Sequence, residues 1–233
     1  MYANNPVVVC RASLLSCCYN REMIGILGGT FDPVHYAHLR TALEVAEHFG
    51  VADMRLIPGN VPPHRPQPVA SPAQRLAMLQ MALASEPRLQ ADDRELQREG
   101  HSYSIDTLQS FRDEMGTERP ILFALGVDAF LHFQRWHRWD EILGLAHLVV
   151  VHRPGYSLPP DDWYEPYLSA NPAELCTTPA GRIYLLPVTA LDISATQVRE
   201  RLKQGKSPRY LLPDSVLDSI QRHQLYCEKI NGT

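Results

Sequence analysis

The stretch Gly28-Gly29-Thr30-Phe31-Asp32-Pro33-Val34-His35-Tyr36-Ala37-His38-Leu39 decides the fold. Before it runs Met23-Ile24-Gly25-Ile26-Leu27, short and apolar, which reads as a buried first strand. After it, Leu39, Ala42, Leu43, Ala46 and Phe49 recur at helical spacing. The stretch is therefore a strand-to-helix turn. Paired glycines let the backbone take positive φ and come close to a ligand. Asp32-Pro33 punctuates the loop before the helix begins. Free N–H groups at a helix start favour phosphate. His35 and His38 share one face if their segment is helical. Imidazoles there hydrogen-bond phosphate oxygens and, when protonated, stabilise developing negative charge.

Two other readings fit parts of this stretch. A tight turn explains Gly28-Gly29 alone, and a zinc pair explains His35 with His38. Yet no H-E-x-x-H surrounds the histidines, and no nearby Cys or His cluster completes a metal site. Phosphate binding is the reading that covers the whole stretch.

Downstream, Met54-Arg55-Leu56-Ile57-Pro58 reads as a second strand. It runs into a proline-stiffened loop, Gly59-Asn60-Val61-Pro62-Pro63-His64-Arg65-Pro66. His64 and Arg65 add two groups able to reach an anionic ligand. Residues 71–84 form a helix with Ser71 as N-cap, Pro72 at the first position and a stripe of Leu76, Leu79 and Leu83. Residues 88–100 carry Asp92, Asp93, Arg94, Glu95 and Glu99 and read as a solvated strand and loop. His101-Ser102-Tyr103-Ser104-Ile105-Asp106-Thr107-Leu108 leads into a helix with Ser104 expected as N-cap and Asp106 complementing the dipole. Ile121 to Leu125 is a strand that delivers Gly126-Val127-Asp128 at its carboxyl end, where open α/β sheets bind ligands. An Asp there accepts ribose hydroxyls or serves metal-bound phosphate. Trp136 is suited to stack on a flat heteroaromatic, whereas Trp139 reads as a core aromatic. His147 to Arg153 and Arg182 to Pro187 are the last strands, and the Pro- and Tyr-rich 154–181 between them reads as an irregular insertion. Then Asp192-Ile193-Ser194-Ala195-Thr196-Gln197-Val198-Arg199 offers hydroxyls, free N–H groups and a guanidinium to a single polyphosphate at a helix start. A terminal helix follows Pro213 and ends towards Leu225-Tyr226.

These segments resemble the nucleotidylyltransferase superfamily, of the HxGH type, and most closely the bacterial nicotinate-nucleotide adenylyltransferases. Residues 28–39 are similar to its GG-x-FDP-x-H-x-GH signature, with Ala37 where the pattern has glycine. Residues 62–65 resemble its PPH-[KR] loop, 102–108 its SYT-x-DTL segment with Ser104 in place of Thr, and 126–136 its G-x-D and tryptophan. Residues 193–199 resemble its IS-[SA]-T-x-[IV]-R motif, and the end its closing YLVP…LY. The resemblance covers about residues 23 to 226. It implies an α/β, Rossmann-like fold: a mainly parallel sheet flanked by helices on both faces. It further implies transfer of AMP from ATP to nicotinate mononucleotide in NAD biosynthesis, giving nicotinate adenine dinucleotide and pyrophosphate, with Mg²⁺ accompanying ATP. His35, His38 and Arg199 would be catalytic. ATP would meet Gly28, Gly29, Thr30, Phe31, His35, His38, Gly126, Asp128, Ile193, Ser194, Thr196 and Arg199. The nicotinate nucleotide would meet Thr30, His64, Tyr103, Ser104, Asp106 and Trp136. Rivals are an enzyme preferring nicotinamide mononucleotide or phosphopantetheine, and a nucleotide-sensing protein without turnover. A Rossmann dehydrogenase is disfavoured because no G-x-G-x-x-G follows the first strand.

Composition sets the outer bounds. A chain of 233 residues with 45% apolar content fits one α/β domain with an insertion. Residues 1–22, interrupted by Arg11 and lacking an A-x-A cleavage site, read as a dispensable extension of a single domain over 23–233. A net charge of −4 gives no polybasic signal for nucleic acid. Of the 22 basic residues 19 are arginine, which suits phosphate recognition but equally follows from a GC-rich genome. Five cysteines without C-x-x-C point to a reduced, cytoplasmic protein, and no apolar run is long enough for a membrane. A monomer or weak homo-oligomer is expected.

Overall fold

The computed structural model describes residues 23–60, 67–153, 155–160 and 163–227. Six strands form one sheet: β1 (Ile24–Gly29), β2 (Asp53–Pro58), β3 (Leu89–Ala91), β4 (Ile121–Gly126), β5 (His147–His152) and β6 (Ile183–Pro187). Their order is β3-β2-β1-β4-β5-β6. Every pairing is parallel, from Ile24 opposite Asp53 on one side of β1 and opposite Ile121 on the other. The helices are α1 (Tyr36–Phe49), α2 (Pro72–Leu83), α3 (Ser104–Met115), α4 (Val127–Phe130), α5 (Trp139–Leu145), α6 (Pro172–Thr177), α7 (Ala195–Lys203) and α8 (Asp214–Arg222).

The central strands β1, β4 and β5 are near-continuous apolar runs because both sheet faces are covered there. Their period of two sorts side chains between two cores. Leu27, Leu122, Ala124, Val149 and Val151 face one core, built with Ala42, Val45 and Phe49 of α1, Met78 and Leu79 of α2, Val198 of α7 and Val216, Leu217 and Ile220 of α8. Ile24, Ile26, Phe123, Leu125, Leu148 and Val150 face the other, with Leu108 and Phe111 of α3 and Ile142 of α5. The sheet is thus wound on both faces, as the resemblance implied. The expected insertion between β5 and β6 holds a 3₁₀ turn at Glu165–Tyr167 and α6. Trp163 from this segment stacks on Phe133, with ring centroids 5.6 Å apart, and Trp139 meets Trp163 edge-on.

Local chemistry explains the helix boundaries. Ser71 caps α2 through a reciprocal pair: Gln74 N donates to Ser71 Oγ, and Ser71 N to Gln74 Oε1. Gly50 closes α1 at φ 67°, ψ 28°, its N–H returned to Ala46 O. Two expectations need correction. Ser104 is not the N-cap of α3: Tyr103 holds the extended cap position at φ −106°, ψ 134°, and Ser104 is already helical. The cap works through the Tyr103 carbonyl, which accepts from the N–H groups of Asp106 and Thr107.

Nor is 88–100 simply solvated, because Asp92 and Glu95 are buried. Each carboxylate has partners that offset its desolvation. Asp92 accepts from Arg94 Nε and Nη2 at 2.9 and 2.8 Å, while the Arg94 guanidinium lies 3.3 Å from the Phe111 ring centroid. Glu95 accepts from Thr107 Oγ1 at 2.6 Å. The charge pattern looked like a surface because the groups that cover it, Thr107 and the Phe111 ring, come from α3 a dozen or more residues on.

Candidate active site

All six strands point the same way, so their carboxyl ends line one edge of the sheet. β1 lies at the centre, where the chain winds outward to β2 and β3 on one side and to β4, β5 and β6 on the other. A crevice opens at such a switch point because the following loops diverge. Here it is a cavity of about 920 Å³. Every residue expected to meet ATP lines it except Gly29. Gly29 serves from behind: a Cβ there would stand 2.9 Å from the Phe31 ring. Phe31 is buried and held at φ 49°, a left-handed conformation that a bulky residue adopts only when its surroundings impose it.

His35 is the N-cap of α1, with extended backbone at φ −146°, ψ 170°, and His38 is the third helical residue. Only His38 of the pair is helical; His35 stands at the cap. Their rings nevertheless stack at 3.7 Å and 22°. The His35 N–H donates to His38 Nδ1 over a long 3.4 Å. A backbone N–H only donates, so the neutral His38 ring carries its proton on Nε2. Burial lowers the His35 pKa from 6.5 to about 4. His38 is pushed well below 6.5, by burial first and then by His35. Without a ligand both imidazoles are neutral at pH 7, because an imidazolium would lose water and gain no counter-charge. Ala37 is the second residue of α1, takes ordinary helical geometry and lines the cavity.

From the far side α7 begins. Ser194 is its N-cap, accepting from Gln197 N at 3.1 Å and keeping its own hydroxyl proton to donate. Arg199 Nη2 donates to Thr196 Oγ1 at 3.3 Å, and Nη1 to the Asp32 carbonyl at 2.7 Å. Two helix N-termini, two imidazoles, two hydroxyls and a guanidinium therefore face one space. That arrangement suits a polyphosphate and the charge that builds on it during substitution. Gly126 and Asp128, at the end of β4, line the same cavity.

The residues expected to meet the nicotinate nucleotide are distributed differently. Thr30 lines the cavity, but Tyr103, Ser104, Asp106 and Trp136 do not, and His64 lies outside the described residues. Tyr103 at the start of α3 packs on His137, ring centroids 4.4 Å apart, which brings α3 beside the Trp136 turn. Trp136 leans on Phe133 and Phe123 at 5.3 and 6.1 Å and stays half-buried. This group is tied to the first loop: Gly59 N donates to Gly29 O, and Asn60 N to Ser102 Oγ at 2.8 Å.

Sequence reasoning missed four contributors. Lys203 and Glu200 on α7 line the cavity, and Lys203 follows Arg199 by one helical turn, a spacing that could have disclosed it. Arg75 is fully buried beneath the loops; its Nη1 donates to Thr30 O at 2.8 Å and its Nη2 reaches Asn60 O at 3.5 Å. Asp32, read only as turn punctuation, accepts from Val69 N, Ala70 N and Tyr226 Oη. Nothing in sequence joins these groups, since each contact spans the fold. Among the described residues no group of three His, Cys, Asp or Glu side chains is placed to share a metal. No helix among them is long and apolar enough to cross a membrane.

Comparison with known proteins agrees with this geometry. Residues 26–201 match the cytidylyltransferase-like family. The "probable nicotinate-nucleotide adenylyltransferase" of Methylococcus capsulatus is 48% identical over 88% of this chain and 100% of its own length. The nicotinate-nucleotide adenylyltransferase of Salmonella typhimurium is 46% identical over 88% and 99%. Among solved structures, the Plasmodium falciparum nicotinic acid mononucleotide adenylyltransferase complexed with NaAD superposes with a TM-score of 0.68. It is 17% identical, over 88% of this chain and 97% of that one, so the likeness is one of fold. With a family match over most of its length and relatives of such identity, the chain belongs to the cytidylyltransferase-like family, among the nicotinate-nucleotide adenylyltransferases.

Proposed function

We propose that the protein transfers AMP from ATP to nicotinate mononucleotide, releasing pyrophosphate and forming nicotinate adenine dinucleotide. The observation that carries this reading is the convergence of the α1 and α7 N-termini on one cavity at the sheet's switch point. The attacking group is the phosphate of the mononucleotide, already ionised at neutral pH. It displaces pyrophosphate from the α-phosphorus of ATP, so neither a general base nor a covalent intermediate is required. Catalysis then rests on alignment and on stabilising charge at the α-phosphate.

His38 Nε2–H is the donor assigned to the α-phosphate. Its neutral state in the free protein suits it to arrive uncharged and to gain proton affinity once the triphosphate sits beside it. Ser194, Thr196 and Arg199 are assigned to the β- and γ-phosphates, the leaving group, and His35 to placing the phosphates. Mg²⁺ would enter as part of the MgATP substrate, held mostly by phosphate oxygens and water. Tyr103, Ser104 and Trp136 would frame the pyridine ring, with Asp106 and His64 assigned to the same nucleotide.

The test is pyrophosphate release from MgATP with nicotinate mononucleotide and, in parallel, nicotinamide mononucleotide. Strong preference for the acid is expected; preference for the amide would overturn the substrate while leaving the chemistry. In the same assay His38→Ala should lower kcat about 100- to 1,000-fold while the KM for ATP changes little. An unchanged kcat would remove His38 from the mechanism.

A further inference from the structure

Beneath the phosphate cavity three distant parts of the chain meet at one side chain. Asp32 is buried, and its carboxylate takes Val69 N at 2.9 Å on Oδ2, and Ala70 N at 3.1 Å with Tyr226 Oη at 2.7 Å on Oδ1. Its own carbonyl receives Arg199 Nη1 at 2.7 Å, and the same nitrogen stands 3.8 Å from Oδ2. Tyr226 lies 194 positions away in sequence and is itself buried. It holds a left-handed backbone at φ 62°, as does Phe31, the residue before Asp32, at φ 49°. A bulky residue in that region is kept there only by the contacts it makes. The same C-terminal segment reaches the other phosphate-facing helix, for Tyr36 N at the start of α1 donates to Leu211 O.

We propose that Tyr226 is a positioning residue for ATP: its phenol fixes the Asp32 carboxylate, and the fixed Asp32 main chain aims the Arg199 guanidinium into the cavity. The proposal rests on the reading of Arg199 as a ligand of the ATP phosphates. The route is short, with one hydrogen bond at each step and no alternative partner for the phenol among the described contacts. Burial and the Asp32 hydrogen bond both raise the Tyr226 pKa, so the phenol stays a donor at every pH the enzyme works in. Asp32 is thereby committed to structure, and the guanidinium keeps its remaining N–H groups for phosphate.

A general packing role and a positioning role differ in which nucleotide they affect. Arg199 is assigned to the leaving group, which AMP lacks. Calorimetric titration of the full chain with MgATP and with AMP, for Tyr226→Phe, Arg199→Gln and the double variant, separates them. Phenylalanine keeps the ring and its burial, and Asp32 Oδ1 retains Ala70 N, so the fold survives the change. Tyr226→Phe should weaken MgATP about tenfold, the scale of one charge-assisted hydrogen bond, and leave AMP unchanged. The double variant should be no weaker than Arg199→Gln alone. Equal weakening of both nucleotides, no weakening of either, or multiplied effects in the double variant would overturn the proposal. If Arg199→Gln leaves MgATP affinity intact, the reading of Arg199 fails and this inference with it. If Arg199→Gln weakens MgATP and Tyr226→Phe does not, only the role of Tyr226 fails.

Discussion

At His35 the free energy of burial and the chemistry of the site are the same quantity. Its Nδ1 is buried without a partner, and the pKa is held near 4. Above pH 6.5 the ring is neutral folded and unfolded, so it adds no pH dependence. Between pH 6.5 and about 4 the unfolded chain takes up a proton that the folded site refuses, so acid favours unfolding. The slope is about 1.4 kcal/mol per pH unit, and the loss reaches about 3 kcal/mol by pH 4. Urea melts at pH 7, 6 and 5 should show wild type losing stability faster than His35→Gln by that slope. Parallel curves would mean that burial does not depress this imidazole. Arg75 makes the same point with a permanent charge: a guanidinium with 0% exposure survives because it clamps the Thr30 and Asn60 carbonyls.

At the level of elements, the helix ends that face the cavity and the helix end of α1 that faces away are built by different rules. The N-terminus of α1 is capped by His35, and none of its first-turn residues is acidic, which leaves its positive end for an anion. α7 likewise has no acid in its first turn and carries Arg201 and Lys203 in its last. The C-terminus of α1, remote from the cavity, is decided by Gly50 in the left-handed region. Gly50→Ala should cost about 1 kcal/mol of stability, the strain of a Cβ there, with kinetics of the folded enzyme unchanged. Denaturant melts with matched kcat measurements test this, and a change in kcat would place α1's far end in the mechanism. Ser71 was readable as a cap because capping is local. Tyr103 was not, because its cap uses only a backbone carbonyl and leaves no side-chain signature.

For the whole molecule, the local patterns in the sequence determined a great deal. The apolar runs, the glycine-bearing turn after the first strand and the helical stripes established an alternating α/β chain. Two segments proposed to meet phosphate, 28–39 and 192–199, were visible in it because each is a continuous stretch whose backbone and side chains act together. The order β3-β2-β1-β4-β5-β6 was not visible, since parallel pairing is made between strands whose separation in sequence says nothing of their neighbours. Only that order puts β1 beside β4 and opens the cavity where those two segments meet. Tertiary structure alone also decided that Asp92 and Glu95 are buried rather than solvated, and that Asp32, Arg75 and Tyr226 stand behind the site. The reason is physical: a buried charge is stable only with partners, and here those partners are brought by the fold from across the chain.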